Sequence, residues 1–179
     1  MSLVITKTWA MPNSNTFSIK PIKQIIERYI SIKAMEKHSA ELCIVDPFAN
    51  SNTFGTIRND IDPQYDTQYH MDATDFLKQL ETESADIILY DPPYSTRQLS
   101  ECYTRMNLSV SADMTRADYW TKQKKEISRI AKPNSYVLSF CWKKGGMGKS
   151  LGFEQIEIML VAHGGWHNDT IITVEKKVS

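Results

Sequence analysis

The clearest chemistry lies in four consecutive residues, Asp91-Pro92-Pro93-Tyr94. The run Asp86-Ile87-Ile88-Leu89-Tyr90-Asp91 reads as a buried parallel strand, so the four residues stand at its carboxyl end. The two prolines stiffen the turn and force Asp91 into extended backbone. They also remove N–H donors that would compete for nearby carbonyls. The Asp91 carboxylate and the Pro92 carbonyl can then both accept from a single amino group. Tyr94 offers a flat face on which a planar ring, such as a base drawn out of its helix, can stack.

Other strand ends carry polar signatures that would suit a ligand. Asp46-Pro47-Phe48-Ala49-Asn50-Ser51-Asn52 follows the apolar run Glu41 to Val45. A sharp turn there brings backbone close to a ligand. Asn50 and Asn52 stand where glycines are expected, and asparagine is the best non-glycine visitor to positive φ. Asn59-Asp60-Ile61-Asp62 ends a weaker strand, Thr56 to Asn59. Asp60 or Asp62 can accept from the two hydroxyls of a ribose, or serve as a plain turn acid. Asp72, followed by Ala73, opens a helix; it can accept from an adenine amino group, cap the helix, or do both.

The elements that must position these groups alternate between strand and helix. Ile19 to Lys37 has apolar residues at helical spacing, with Pro21 in the first turn and Lys33 interrupting the stripe. Asp72 to Leu80 reads as a short helix and Thr115 to Ala131 as a longer one, stopped by Lys132-Pro133-Asn134-Ser135. Tyr136 to Trp142 is a further apolar strand. Gln155 to Ala162 and Thr170 to Glu175 are joined by a loop short enough to make them an antiparallel hairpin. The expectation is one α/β domain over 1–179, a mainly parallel sheet with an antiparallel edge.

Composition sets the outer bounds. Hydrophobic residues make up 41% and charged residues 23%, the balance of an ordinary globular protein. No apolar run approaches the ~20 residues of a membrane span, and Met1-Ser2-Leu3 does not begin a signal peptide. Cys43, Cys102 and Cys141 read as reduced thiols of a cytoplasmic protein. The net charge is zero but unevenly spread: acids dominate from Glu41 to Asp91, bases from Arg97 to Lys149. The basic stretch could meet phosphates or form a solvated helix face.

In these residues the chain resembles the adenine-N6 and cytosine-N4 amino-methyltransferases of DNA. The tetrapeptide is the specific signal, and the order of motifs is the family's. Thr16-Phe17-Ser18-Ile19-Lys20-Pro21-Ile22 is similar to the segment that lies against the methionine end of the cofactor. The resemblance implies a Rossmann-like, seven-stranded methyltransferase sheet and S-adenosylmethionine as cofactor. Phe17, Lys20, Asp46, Pro47, Phe48, Asn50, Asp60 or Asp62, Asp72 and Ala73 would hold that cofactor. Asp91, Pro92, Pro93 and Tyr94 would act on the target amine, most simply adenine N6 in DNA. Cytosine N4, a guanine amino group in ribosomal RNA, and a non-catalytic cofactor-binding subunit are the alternatives. Arg97, Trp120, Lys143 and Lys144 are candidates for nucleic-acid contact. The chain departs from the family in lacking the glycines of the cofactor turn and any recognisable target-recognition domain. Specificity would then be low, or come from the Asn107 to Asp118 loop or a partner chain, such as a second copy. Compact cores of this kind suit a bacterial or phage setting.

Two other motifs compete. Lys144-Gly145-Gly146-Met147-Gly148-Lys149-Ser150 matches the phosphate loop of partitioning-type ATPases. Such a loop should open a helix, whereas Leu151-Gly152-Phe153 leads into a strand-like run. A strand-end loop facing phosphate or closing over the site is the expected role. His163 and His167 have metal-like spacing but no cysteine pair beside them, so no metal is expected.

Overall fold

The computed structural model describes residues 2–105, 118–142 and 145–178. The chain runs β1 (Val4–Trp9), a 3-10 turn (Thr16–Ser18), α1 (Lys20–Lys37), β2 (Ile44–Asp46), β3 (Ile57–Arg58), α2 (Ala73–Gln79) and β4 (Ala85–Tyr90). It continues through α3 (Thr96–Arg105), α4 (Asp118–Ile130), β5 (Ala131–Cys141), a second 3-10 turn (Lys149–Leu151), β6 (Phe153–Ala162) and β7 (Thr170–Lys177). The strands form one seven-stranded sheet in the order β1-β6-β7-β5-β4-β2-β3.

Local sequence explains most of these elements. Pro21 falls in the first turn of α1, where its missing N–H costs nothing. Ile22, Ile25 and Ile26 are buried along one stripe of that helix. Each contributes about 1.5–3 kcal/mol on leaving water. Lys33, which interrupts the stripe, is itself buried: its Nζ donates to the Asn134 carbonyl at 2.9 Å and lies 3.5 Å from Glu36. Asp72 caps α2, accepting from the Thr74 backbone N–H at 2.8 Å.

β4 is buried throughout and divides the core. Ile87 and Leu89 pack with α1, while Ile88 and Tyr90 pack with α2 and α4. α4 ends at Ile130, as the Lys132-Pro133-Asn134-Ser135 signal requires, but that segment is the bulged start of β5 rather than a separate turn. Asn134 takes a positive φ of 61° there.

Two features differ from the sequence reading. The hairpin is present, yet it does not form the antiparallel edge. β7 inserts between β5 and β6 and is antiparallel to both. The edge is instead β1, which pairs parallel with β6 from Val4↔Glu157 to Trp9↔Ala162. β1 escapes a patterning argument because it is exposed on both faces, with the neighbours Val4 48% and Ile5 71% exposed.

β2 lies between β3 and β4. The chain leaves β2 for β3 on one side and leaves β4 for β5 on the other. The connections therefore part at the carboxyl ends of β2 and β4, where open sheets of this kind hold their ligands.

Candidate active site

A cleft of about 510 Å³ opens at that parting point. The turn after β2 supplies Pro47, Phe48, Asn50 and Asn52, and the turn after β3 supplies Asn59, Asp60, Ile61 and Asp62. The segment before α1 supplies Ser14 to Phe17, and the turn after β4 supplies Asp91 to Tyr94. Ala73, Leu99, Tyr103 and Tyr119 close the far side.

The first turn shows why asparagine can stand in for glycine. Asn50 adopts φ 50°, the left-handed conformation that glycine usually provides. Its backbone N–H donates to Asp60 Oδ2 at 2.8 Å, tying the β2 turn to the β3 turn. Asn52 has a different task. It is buried, and its Nδ2 donates to Asp46 Oδ2 at 2.9 Å while its Oδ1 accepts from the Phe54 N–H at 3.1 Å.

Asp46 is fully buried beneath the turn and does not line the cleft. Its Oδ1 accepts from the Phe48 N–H at 3.1 Å. Burial pushes its carboxyl up to about 7, against the pull of Asn52 and Phe48. Asp46 thus braces the turn from below. Asp72 is also set back from the cleft: its carboxylate accepts from Thr74, from the Tyr103 hydroxyl at 2.9 Å and from the Tyr119 hydroxyl at 3.0 Å. Lys20 is exposed at the start of α1, outside the lining, whereas Phe17 is inside it. Asp60 and Asp62 do face the cleft. Asp60 accepts two backbone N–H groups, from Asn50 and Asp62 (2.9 Å), leaving lone pairs of its carboxylate for a ligand. Burial raises the Asp60 carboxyl above its ordinary range.

The tetrapeptide forms the opposite wall. Burial pushes the Asp91 carboxyl up to about 6, and hydrogen bonds from Tyr94 and Thr16 hold it from rising further. The Tyr94 hydroxyl donates to Asp91 Oδ1. The Tyr94 ring meets Trp142 edge-on at 5.2 Å, and its backbone N–H donates to Gln98 Oε1 at 2.7 Å. Trp120 Nε1 donates to the Pro93 carbonyl at 3.0 Å. Trp120 therefore supports the tetrapeptide from α4. The sequence does not single out Thr16, Gln98 or Trp142 as partners of the tetrapeptide: Thr16 lies in the segment before α1, Gln98 follows in α3, and Trp142 arrives from the end of β5, so only the fold brings the three to Asp91 and Tyr94.

The lining is acidic. Asp60, Asp62, Asp91 and Glu101 face it, and no lysine or arginine does among the described residues. Such a surface suits a cationic ligand with hydroxyls to donate and repels a phosphate. Arg97 is highly exposed and paired with Glu101 at 2.8 Å. Lys143, Lys144 and residues 107–117 of the expected recognition loop lie outside the described residues. Several other bases have structural partners: Arg129 donates to the Leu77 and Leu80 carbonyls, and Lys124 to the Gly146 carbonyl.

The glycine-rich loop binds an anion, but the anion belongs to the chain. The N–H groups of Met147 and Gly148 both donate to the carboxylate of Glu175, which is fully buried. Gly146 has φ 131°, and a Cβ there would stand 2.5 Å from Glu175 Oε2. Glutamate fills the space a phosphate would need. His163 uses both ring nitrogens within the fold, toward the Ala10 carbonyl and the Thr170 hydroxyl, each at 2.9 Å. Among the described residues no cluster of histidine, cysteine and carboxylate side chains is arranged for a metal, and no helix is long and apolar enough to cross a membrane.

No protein-family model matches the chain, and no curated protein sequence matches it. Solved structures do. The 1,6-didemethyltoxoflavin-N1-methyltransferase of Burkholderia thailandensis, solved with bound 1,6-didemethyltoxoflavin and S-adenosylhomocysteine, superposes with a TM-score of 0.55 at 8% identity. The match covers 86% of this chain and 78% of that one. TrmN from Thermus thermophilus superposes at 0.55 with 15% identity, over 89% of this chain but 49% of its own. A methylase candidate from Haemophilus influenzae gives 0.53 at 11% identity, over 87% and 89%. The chain has the Rossmann-like α/β fold of these methyltransferases.

Proposed function

We propose that the chain transfers a methyl group from S-adenosylmethionine to an exocyclic amino nitrogen of a nucleic-acid base, with adenine N6 in DNA as the favoured acceptor. The observation that carries this reading is the pairing of two walls across one acidic cleft. Asp60 and Asp62 stand on one wall and Asp91-Pro92-Pro93-Tyr94 on the other, with no basic residue among the described lining. The first wall suits ribose hydroxyls. The acidic lining suits a cationic sulfur and disfavours a nucleotide phosphate. The fold is also one on which the didemethyltoxoflavin enzyme holds S-adenosylhomocysteine; that support is by analogy of fold.

S-adenosylmethionine, when bound, supplies an electrophilic methyl group on a cationic sulfur. The chain's own task is to prepare the amine. An exocyclic amine conjugated with its ring is a weak nucleophile. Accepting its two hydrogens on Asp91 and the Pro92 carbonyl draws the nitrogen toward tetrahedral geometry and stabilises the charge that develops on it. Holding the nitrogen in line supplies the rest of the advantage. As the amine gains its methyl group it becomes cationic and must release a proton. The Asp91 carboxylate, with its affinity for protons raised by burial, is placed to receive it.

The direct test is to incubate the protein with labelled S-adenosylmethionine and separate pools of unmethylated DNA and RNA. Label in DNA as N6-methyladenine is expected. Label only in RNA would redirect the acceptor to ribosomal RNA, and label in neither pool would sink the catalytic reading.

A further inference from the structure

A second cavity of about 200 Å³ lies beside the cleft and shares Pro92, Pro93 and Tyr94 with it. The tetrapeptide is thus a wall common to both. The other walls include Trp120 and Phe140, which are apolar, and Ser139, which is not.

Ser139 belongs to a row. Tyr90 on β4 is in register with Ser139 on β5, which is in register with Thr173 on β7. Side chains in register across neighbouring strands share a face. This face is covered by α4, because the Tyr90 hydroxyl donates to Gln123 Oε1 at 2.7 Å. Gln123 is 0%, Ser139 3% and Thr173 0% exposed. Gln123 Nε2, Ser139 Oγ and Thr173 Oγ1 nonetheless have no hydrogen-bond partner among the described residues. Buried polar atoms without partners are costly and rare. Three of them along one face, beside a cavity, point to a missing partner.

We infer that Ser139 is a specificity-determining residue that reads the edge of the acceptor ring, with Thr173 and Gln123 completing a polar row behind it. The inference rests on the proposed methylation of an aromatic amine at Asp91. The Gln123 carbonyl is committed to Tyr90, so its free end can only donate; the Ser139 hydroxyl can donate as well. The described lining holds no carboxylate, and its one lysine, Lys124, is engaged with Gly146. The row therefore selects a neutral heteroaromatic amine that carries a hydrogen-bond acceptor on its ring. Adenine and cytosine both place a ring nitrogen acceptor beside the carbon that bears the amine. A plain aryl amine has none.

Saturation-transfer NMR tests this with free adenine, free cytosine and aniline as probes, each with and without S-adenosylhomocysteine. Wild type should bind adenine or cytosine. Ser139→Ala should weaken that binding about tenfold, the effect of one lost hydrogen bond to a buried partner, and leave aniline unchanged. The melting temperature of Ser139→Ala should stay level or rise, since an unsatisfied hydroxyl is removed, so lost binding cannot be lost folding. Base binding absent in wild type, or equal in wild type and Ser139→Ala, would overturn the inference. S-adenosylhomocysteine binding is read separately; its absence would count against the cofactor reading while leaving the base titrations to judge the polar row.

Discussion

The hydroxyl of Tyr94 donates to Oδ1 of Asp91, three residues before it in the chain. The residue that offers a ring to stack on therefore also holds the carboxylate that would receive the amine. The Thr16 hydroxyl, from the segment preceding α1, also hydrogen-bonds Asp91. On the proposed reading an arriving amine would share or displace these donors, so Asp91 is already oriented before a ligand arrives.

Replacing Asp91 with asparagine should lower kcat by about 10²–10³-fold, the scale of removing one group that stabilises developing charge. S-adenosylhomocysteine affinity by calorimetry should stay near the wild-type value. A comparable loss of both would mean that Asp91 belongs to the cofactor site instead.

Tyr94→Phe tests the same pair through pH. The Tyr94 hydrogen bond lowers the Asp91 carboxyl, which burial alone raises. Removing the bond should move that carboxyl above about 6, so the acid limb of the rate profile shifts to higher pH. A limb that stays put, or moves down, would show that another group controls it.

Stability should also respond to pH. The Asp46 carboxyl stands at about 7 in the folded chain, against an ordinary 3.8. The folded state binds this proton more tightly than the unfolded state. Its contribution is therefore fully present below the unfolded value and is lost as pH rises through about 7. Thermal unfolding should show a higher melting temperature at pH 5.5 than at pH 8, with about 2–4 °C for each kcal/mol gained. Asp46→Asn should flatten that slope. An equal slope in both proteins would assign the effect to other groups.

Glu175→Ala should destabilise the fold by about 1–3 kcal/mol, because it strands the buried N–H groups of Met147 and Gly148. Wild type should show no thermal shift with ATP, since the carboxylate already occupies the loop. A clear stabilisation by ATP would revive the phosphate-loop reading.

How much could be read in advance follows from how local each signal was. β4 and its tetrapeptide are legible because an unbroken apolar run meets two prolines. The Asp72 cap and the Asn50 turn follow from single-residue conformational preferences. β1 was not legible: an edge strand exposed on both faces carries no one-sided pattern. Nor was the insertion of β7 between β5 and β6, which is a matter of pairing between distant segments. Asp46 and Asp72 were recognisable as important acids, but the direction of each side chain depends on partners from elsewhere. Asn52 draws one under the turn, and Tyr103 and Tyr119 hold the other away from the cleft. The serine, threonine and glutamine of the polar row look unremarkable until sheet register aligns Ser139 with Thr173.

The segment from Ala10 to Ile19 forms part of the cleft wall and reaches the core through Phe17, whose ring lies 4.8 Å from that of Phe140. It is pinned at the β6 edge by the Ala10 N–H to the Ala162 carbonyl at 3.1 Å and by His163. Near the β2 turn, Asn15 Nδ2 donates to Ser51 Oγ at 2.9 Å. Between them it carries Thr16 and Phe17 along the cleft, a strap buckled at both ends and seated in the middle by the buried Phe17 ring. Loosening either fastening would change how long a bound ligand stays. Dwell time should then depend on Ser51 and His163, residues that never touch the transferred group.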